Sequence, residues 1–353
     1  MKYIVVLSIF LAFSSWSQDP NETPQSKLIG EIIIPEMQRQ NIPGVAVAFF
    51  YVDRGYIICY GVADKWKKNP VTPDTIFEIA SVTKVFTSTD LALQVERGYV
   101  TLNDSVTNYL PGIDRYKGAL NQVTLLELAT HSSSLPREPP SMRGRPQTEQ
   151  AIVNFLNKWM PSTHIGTQYQ YSNLGFGILG WALANREHVT YDQMIANDIL
   201  RPLGMNSTMT QVPPNLNRNY AQGYTPKGTP ASRWRSLLPG GGSLRSTPQD
   251  LLLFLEANLG FTDSPELTQA IAIAQQGYFK VNNQLTMGLG WQRFQKNDFL
   301  IIDKNGGVPG FSAYIGFILD KKIGVVLLAN KSKINSTEIG RRILIKLAQS
   351  SSQ

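Results

Sequence analysis

Segments with strand patterns lie near both ends of this 353-residue chain, and the long stretch between them has helical patterns. Strands are predicted at 44–52, 56–63, 288–294, 299–303, 313–319 and 323–329, the first two forming a hairpin. Helices are predicted at 26–40 and from about residue 336. This order predicts an α+β fold, in which terminal helices flank one antiparallel sheet built from about 26–80 and 285–353. An inserted all-helical lobe is predicted at about 81–284.

The first 17 residues have the pattern of a signal peptide. Lys2 gives a short basic end, residues 3–13 form an apolar core too short to span a bilayer, and Ser15 and Ser17 are small. We therefore expect cleavage near Ser17 and a secreted, periplasmic protein; an uncleaved N-terminal anchor is the alternative. No other segment of the sequence is long and apolar enough to span, so stable membrane insertion is not expected.

Composition and charge exclude several kinds of partner. The net charge is +7, but the sequence has no basic helix and no interleaving of basic and aromatic residues, so nucleic-acid binding is not expected. The histidines, His131, His164 and His188, do not have metal-ligand spacing, and we expect neither a metal nor any other cofactor. Cys59 is the only cysteine and fits a buried strand position, so the chain has no internal disulfide.

The most informative segment for chemistry runs from Ser81 to Lys84 and opens an apolar-periodic stretch. This spacing stacks the serine hydroxyl and the lysine amine on one face of a helix. A serine hydroxyl is a weak nucleophile at neutral pH, and a lysine held in a dry site can help to remove its proton. Taken alone, the pair fits a solvated helix start better, because serine and lysine at this spacing occur by chance in many chains.

Two further segments follow in chain order. Tyr171 and Asn173 precede a glycine-notched apolar stretch, which places a phenol and an amide where a loop becomes a helix. Lys304 follows a short apolar run, and Gly306 and Gly307 after it let a substrate approach the backbone at the edge of a strand. Each residue alone fits an ordinary structural role. The three segments in this order resemble, with variations, the three-part signature of β-lactamases and penicillin-binding proteins.

The chain as a whole resembles the class C β-lactamase and low-molecular-mass penicillin-binding protein family. The resemblance also rests on segments spread over the chain, among them 41–48, 60–64, 128–131, 202–205, 219–224, 288–291 and 328–331. It implies a β-lactamase/transpeptidase-like fold, with a five-stranded sheet beside an all-helical domain and the active site in the cleft between them. It implies, in addition, the activity of a serine hydrolase.

The resemblance also implies a role for each motif residue. Ser81 would be the nucleophile that forms an acyl-enzyme, with Lys84 as its partner. Tyr171 would exchange protons with Ser81 and with the leaving group, and Lys304 would lie near the tyrosine oxygen and favour its anionic form. Asn173 would hold Lys84 and the substrate amide.

Three further residues are implied in substrate binding, and two of them depart from the class C pattern. The backbone N–H of Gly307 would form the oxyanion hole with that of Ser81. Asn305 stands where the class C pattern has a threonine that helps to bind the substrate carboxylate. Glu138 stands where β-lactamases usually have an amide that touches the substrate. A shorter segment before the third motif and the replacement of an aromatic stretch at 237–243 predict a wider, less aromatic cleft.

The segment around Glu138 looks closer to AmpH-type D-alanyl-D-alanine carboxypeptidases/endopeptidases than to dedicated β-lactamases. We therefore expect a penicillin-recognising serine hydrolase that cleaves D-alanyl-D-alanine-type peptides and, to some extent, β-lactams. The alternatives are a class C-like β-lactamase with fast deacylation, an esterase for small acyl esters, and a catalytically silent binding or scaffold protein. The expected partners are peptidoglycan stem peptides or small molecules such as β-lactams, and the chain is expected to be a monomer.

Overall fold

The computed structural model describes residues 4–6, 23–110, 118–139 and 148–350. The predicted signal peptide lies outside these ranges apart from residues 4–6. The strands are β1 (Ile4–Val6), β2 (Gly44–Tyr51), β3 (Arg54–Asp64), β4 (Asn69–Pro70), β5 (Phe77–Glu78), β6 (Arg245–Ser246), β7 (Phe279–Lys280), β8 (Leu285–Met287), β9 (Gln292–Lys296), β10 (Phe299–Val308), β11 (Phe311–Ile318) and β12 (Ile323–Ala329). The helices are α1 (Pro24–Gln40), α2 (Thr83–Glu96), α3 (Leu125–Thr130), α4 (Glu149–Lys158), α5 (Asn173–Arg186), α6 (Tyr191–Ile195), α7 (Pro248–Asn258), α8 (Pro265–Gln275) and α9 (Ser336–Ser350).

Most strands form one ten-stranded sheet in the order β1-β3-β2-β12-β11-β10-β9-β8-β7, with β4 paired to β3. Its pairings are antiparallel except that of β1 with β3. The predicted α+β class and antiparallel sheet are therefore confirmed. The strand count of five is wrong for the whole sheet, because it describes only the long central strands β3, β2, β12, β11 and β10. Apart from β9, which corresponds to the strand predicted at 288–294, the added strands have two or three residues, too few to show the period of a strand.

The strand predicted at 288–294 is displaced in the structure. Gly290 has a φ of +71°, a conformation that glycine adopts without strain, and the chain turns there. The N–H groups of Leu289 and Gly290 donate to the carbonyls of Ala274 and Ala129 instead of to a neighbouring strand. β9 consequently begins at Gln292.

The two faces of the sheet pack against different helices. Because successive side chains of a strand point to opposite faces, alternate residues contact different helices. Along β2, Val45, Val47 and Phe49 belong to the apolar cluster that contains residues of α1 and α9. Ala46 and Ala48 point to the other face and belong to the cluster that contains α7 and other helices of the inserted segment. The terminal helices therefore cover one face and the inserted segment covers the other.

In the described part of the inserted segment, the regular elements are helices apart from the two-residue strands β6 and β7, and long loops connect them. Its central helix is α2, whose residues from Thr83 to Gln94 are all buried. Ala80, just before this helix, has a φ of +50°, which is uncommon for a residue with a side chain and marks a sharp change of chain direction after β5. Among the helices of the described ranges, none is long and apolar enough to cross a membrane.

Candidate active site

Ser81 lies in a 3₁₀ turn immediately before α2, and its hydroxyl is the centre of a hydrogen-bonded group. Ser81 Oγ lies 2.6 Å from Tyr171 Oη, close enough for either hydroxyl to donate. The amine of Lys84 donates to Ser81 Oγ at 3.2 Å. The predicted spacing of serine and lysine on one helix face therefore brings the two groups into contact, and the tyrosine joins them from the start of α5.

The Lys84 amine is fully buried and has three acceptors. Besides Ser81, it donates to Asn173 Oδ1 at 2.8 Å and to the carbonyl of Gly241 at 2.5 Å. Burial lowers the pKa of Lys84 to about 7; the charge of Arg137 lowers it further and that of Glu138 opposes the shift. A neutral amine beside the hydroxyl is thus accessible near physiological pH, as a general base requires.

Lys304 supplies a second buried amine near the tyrosine. Its Nζ lies 5.1 Å from the centroid of the Tyr171 ring, and Lys84 Nζ lies 4.9 Å from the same centroid. Burial lowers the pKa of Lys304 to about 8, with Tyr171 opposing the shift and Lys84 adding to it. Lys304 therefore keeps its proton at a pH where Lys84 begins to lose it.

His131 fixes the position of Tyr171, a role that the sequence analysis did not assign. The two rings lie 4.4 Å apart between centroids, and His131 Nδ1 accepts from the backbone N–H of Ser172 at 3.1 Å. The His131 carbonyl accepts from the N–H of Gln170 at 2.7 Å. Burial, together with the charges of Lys304 and Lys84, holds the pKa of His131 well below its usual range, so the ring remains a neutral acceptor. The only sequence signal was its place in the family-like segment 128–131.

The edge of β10 forms another wall of the site. β9 pairs with β10 only as far as Asp303, so the edge from Lys304 to Val308 is open on that side. A Cβ placed on Gly306 would lie 2.2 Å from the carbonyl oxygen of Ile79 and 3.0 Å from the nitrogen of Ser81, so only glycine allows the strand to approach this closely. A Cβ on Gly307 would meet nothing within 4 Å.

The backbone N–H of Gly307 is aimed at the open edge. β10 and β11 are joined by a two-residue turn, which makes Val308 and Phe311 the first hydrogen-bonded pair of the hairpin. Hydrogen bonding alternates along an antiparallel pair, so the N–H of Gly307 points away from β11. Gly307 and Ser81 line the same cavity.

A cavity of about 300 Å³ opens beside Ser81. Its lining includes Arg137, Glu138, Asn173 and Trp234. The sequence analysis missed Trp234 because its position depends on a distant contact: its backbone N–H donates to Glu78 Oε1 at 2.9 Å. This indole restores an aromatic wall, which the sequence at 237–243 does not provide.

The predicted site residues are mostly brought together. Ser81, Lys84, Tyr171 and Lys304 form one group. Asn173, Gly307 and Glu138 line the cavity, and Asn173 Nδ2 donates to Glu138 Oε1 at 2.8 Å.

Asn305 is placed differently. Its side chain is exposed and lines a second cavity, of about 370 Å³, together with Thr337 and Arg341 of α9. In the described ranges there is no group of three or more His, Cys, Asp or Glu side chains that could hold a metal ion.

Known proteins are similar to this chain in sequence and in fold. The family model described as Beta-lactamase matches residues 29–350. A β-lactamase of Escherichia coli (strain K12) is 30% identical over 346 residues, covering 88% of this chain and 90% of that protein. A β-lactamase of Yersinia enterocolitica is 28% identical over 355 residues, covering 90% of each.

Solved structures that resemble this one are also β-lactamases, in agreement with the relatives found by sequence. A class C β-lactamase has a TM-score of 0.85 and 30% identity, covering 95% of this chain and 99% of that chain. A class C β-lactamase in complex with cefoxitin has the same TM-score and identity, covering 92% of this chain and 98% of that one.

Proposed function

This chain belongs to the beta-lactamase family, and we propose that it is a serine hydrolase that opens β-lactam amides through an acyl-enzyme on Ser81. One observation carries the proposal: Ser81 is hydrogen-bonded to Tyr171 and to the buried amine of Lys84, with the second buried amine of Lys304 beside the tyrosine ring. A structural neighbour has been solved with the β-lactam cefoxitin, which supports this substrate class.

Acylation follows from the positions of the proton donors and acceptors. Ser81 Oγ attacks the amide carbonyl, and its proton passes to the neutral amine of Lys84, which is the general base. As the amide C–N bond breaks, Tyr171 delivers its phenolic proton to the leaving nitrogen. The ammonium groups of Lys84 and Lys304 stabilise the phenolate, and Lys84 then returns a proton to it.

The negative charge on the carbonyl oxygen needs donors that are already in place. The N–H of Ser81, at the turn before α2, and the N–H of Gly307, at the open edge of β10, are the proposed pair. Removing one such donor typically raises a barrier by about 3–4 kcal/mol. The close approach of Gly306 to Ser81 is what sets the distance between these two N–H groups.

Deacylation uses the same groups in the reverse order. Water takes the position of the leaving nitrogen, gives a proton to Tyr171 and Lys84, and attacks the ester carbonyl. The ester bond to Ser81 then breaks, and the same two residues return a proton to the serine oxygen. The rate of this step separates a β-lactamase from an enzyme that penicillin blocks.

Cleavage of D-alanyl-D-alanine-type peptides is a second candidate function. It is supported by Glu138, which lines the cavity beside Ser81 at a position where β-lactamases usually have an amide that touches the substrate. In this reaction the leaving group is D-alanine, which diffuses away, whereas the amine released from a β-lactam stays attached to the acyl group.

The test is acylation of the purified protein by benzylpenicillin, followed by mass spectrometry over time, with Ser81→Ala as the control. A penicilloyl adduct that forms on the wild type and decays with turnover supports the β-lactamase function. A stable adduct, with release of D-alanine from an acyl-D-alanyl-D-alanine peptide, supports the peptidase. An adduct that persists in Ser81→Ala, or turnover of short-chain esters alone, contradicts both.

We also propose that the protein is exported to the periplasm, on the basis of the basic end and apolar core of residues 1–17. Expression of the full chain followed by N-terminal sequencing and fractionation tests this proposal. An intact N-terminus in the cytoplasmic fraction contradicts it.

A further inference from the structure

We propose that Glu138 makes the acyl side of the cavity selective for substrates that carry a positive charge close to the scissile carbonyl. The inference rests on the proposed acyl-enzyme at Ser81 and adds to it the chemical class of the preferred acyl group, a protonated amine.

The acyl group and the leaving group lie on opposite sides of Ser81. Tyr171 and Lys304 mark the leaving-group side, because the leaving nitrogen must receive its proton from the phenol. Neither residue is among the described residues that line the 300 Å³ cavity. That cavity extends instead to the turn between β10 and β11, at Val308 and Pro309, so it receives the acyl group.

Glu138 is held in the wall of this cavity by the start of α5. The carbonyl of its neighbour Arg137 accepts from the N–H groups of Asn173 and Leu174 at 3.1 and 3.2 Å. The carboxylate itself accepts from Asn173 Nδ2 through Oε1 at 2.8 Å. Within the described ranges Oε2 has no hydrogen-bond partner, and Glu138 is the only carboxylate in the cavity lining. One oxygen therefore remains available to a substrate ammonium group.

Among the described residues, neither of the cations near this carboxylate, Lys84 and Arg137, forms an ion pair with it. The Arg137 guanidinium carbon lies 5.4 Å from the centroid of the Tyr171 ring. The arginine charge is thus drawn toward the tyrosine side, while the glutamate charge faces the acyl side. A cation on the acyl group would be attracted, and a carboxylate there would be repelled.

The experiment compares three penicillins whose acyl groups differ in one substituent. Ampicillin carries an α-amine, benzylpenicillin carries none, and carbenicillin carries an α-carboxylate. Second-order acylation constants are measured for the wild type, Glu138→Gln and Arg137→Gln. Glutamine is the matched change, because its amide oxygen still accepts from Asn173 while the charge is lost. The ratio of constants for two substrates isolates the charge contact from any general effect of a substitution.

We expect the wild type to prefer ampicillin over benzylpenicillin by about tenfold at about pH 6.5, where an α-amine is protonated, and carbenicillin to be the slowest. The preference should disappear at about pH 9, where the amine is neutral. Glu138→Gln should abolish the preference at about pH 6.5, and Arg137→Gln should not lower it there.

The proposal is overturned if the ratio of acylation constants for ampicillin and benzylpenicillin is the same in the wild type and in Glu138→Gln, or if carbenicillin is preferred. Either result leaves the acyl-enzyme at Ser81 intact. Failure of all three penicillins to acylate the wild type would overturn the proposed function and this inference with it.

Discussion

The hydroxyl oxygens of Ser81 and Tyr171 lie 2.6 Å apart, although 90 positions separate the two residues in the chain. The contact joins the turn before α2 to the loop before α5. Buried amines flank it, with Lys84 bonded to Ser81 and Lys304 near the tyrosine ring. A proton leaving the serine therefore has acceptors in place before any substrate arrives, as preorganised acid–base catalysis requires.

Tyr171→Phe should lower the acylation rate constant for benzylpenicillin by about 10²-fold or more, the usual scale for a positioned acid–base group. The change removes the phenol and keeps the ring, which packs on His131. We therefore expect an unchanged thermal unfolding midpoint, measured in parallel with stopped-flow acylation. An unchanged rate constant would show that Tyr171 is structural.

The two lysines predict a bell-shaped pH dependence of kcat/KM. As the pH rises through about 7, Lys84 loses its proton and becomes the base, so the rate rises. As the pH rises through about 8, Lys304 loses the charge that stabilises the phenolate, so the rate falls. The two amines interact, so the pKa values read from the two limbs of the profile belong to the pair and not to either lysine alone. Lys304→Arg should remove the alkaline limb, because arginine does not titrate in this range. A flat profile would contradict the assignment.

Gly306 and Gly307 form a matched pair for testing the approach of β10 to Ser81. Gly306→Ala would place a methyl group 2.2 Å from the carbonyl oxygen of Ile79, which must push the strand away. We expect acylation to fall by at least about 10²-fold, as when an oxyanion donor is lost. A Cβ added at Gly307 would have no neighbouring atom within 4 Å, so Gly307→Ala should leave the unfolding midpoint unchanged and lose much less activity. Equal losses in both variants would refute the geometric argument.

The sequence alone was sufficient to predict the site residues whose chemistry requires a particular residue type at a particular spacing. Ser81 and Lys84 are three positions apart on a helix, and Lys304 precedes the glycines that keep β10 close to the serine. These constraints are local, so a single chain reveals them. The long alternating strands were predictable for the same reason.

Residues placed by tertiary contacts were not predictable. His131 reaches Tyr171 because it takes a left-handed conformation at the end of α3, with a φ of +60°. Trp234 reaches the cavity because Glu78, far away in the sequence, binds its backbone N–H. Neither residue has a pattern of its own. The register of β9 was likewise set by the turn at Gly290 rather than by hydrophobic alternation.

Asp90 offers a test of stability away from the cavity. It is fully buried in α2, and burial, followed by the charges of Asp198 and Glu187, raises its pKa well above the usual range. A carboxyl whose pKa is raised by folding stabilises the protein at acid pH, and this contribution is lost as the pH rises through the folded pKa. Asp90→Asn should therefore raise the free energy of unfolding by roughly 1–3 kcal/mol at alkaline pH and change it little at acid pH. Denaturant titrations across the pH range would show this, and a pH-independent difference would contradict it.

Asn305 tests carboxylate recognition on the leaving-group side. It follows Lys304 on β10 and faces the second cavity, where Arg341 is already bound to Asp303 through two hydrogen bonds of 2.6 and 3.1 Å. The Asn305 side chain is exposed, and we propose from its place next to Lys304 that its amide meets a substrate carboxylate. Asn305→Ala should slow acylation by benzylpenicillin about tenfold, the scale of one hydrogen bond to a charged group.

A small uncharged ester provides the control substrate for the same position, because it has no carboxylate to lose. Its turnover should stay nearly constant in Asn305→Ala. Asn305→Thr, which again offers a donor, should recover the penicillin rate. Equal losses for penicillin and ester would instead mean that Asn305 supports the strand, since a structural defect at the edge of β10 would displace Gly307 for every substrate alike.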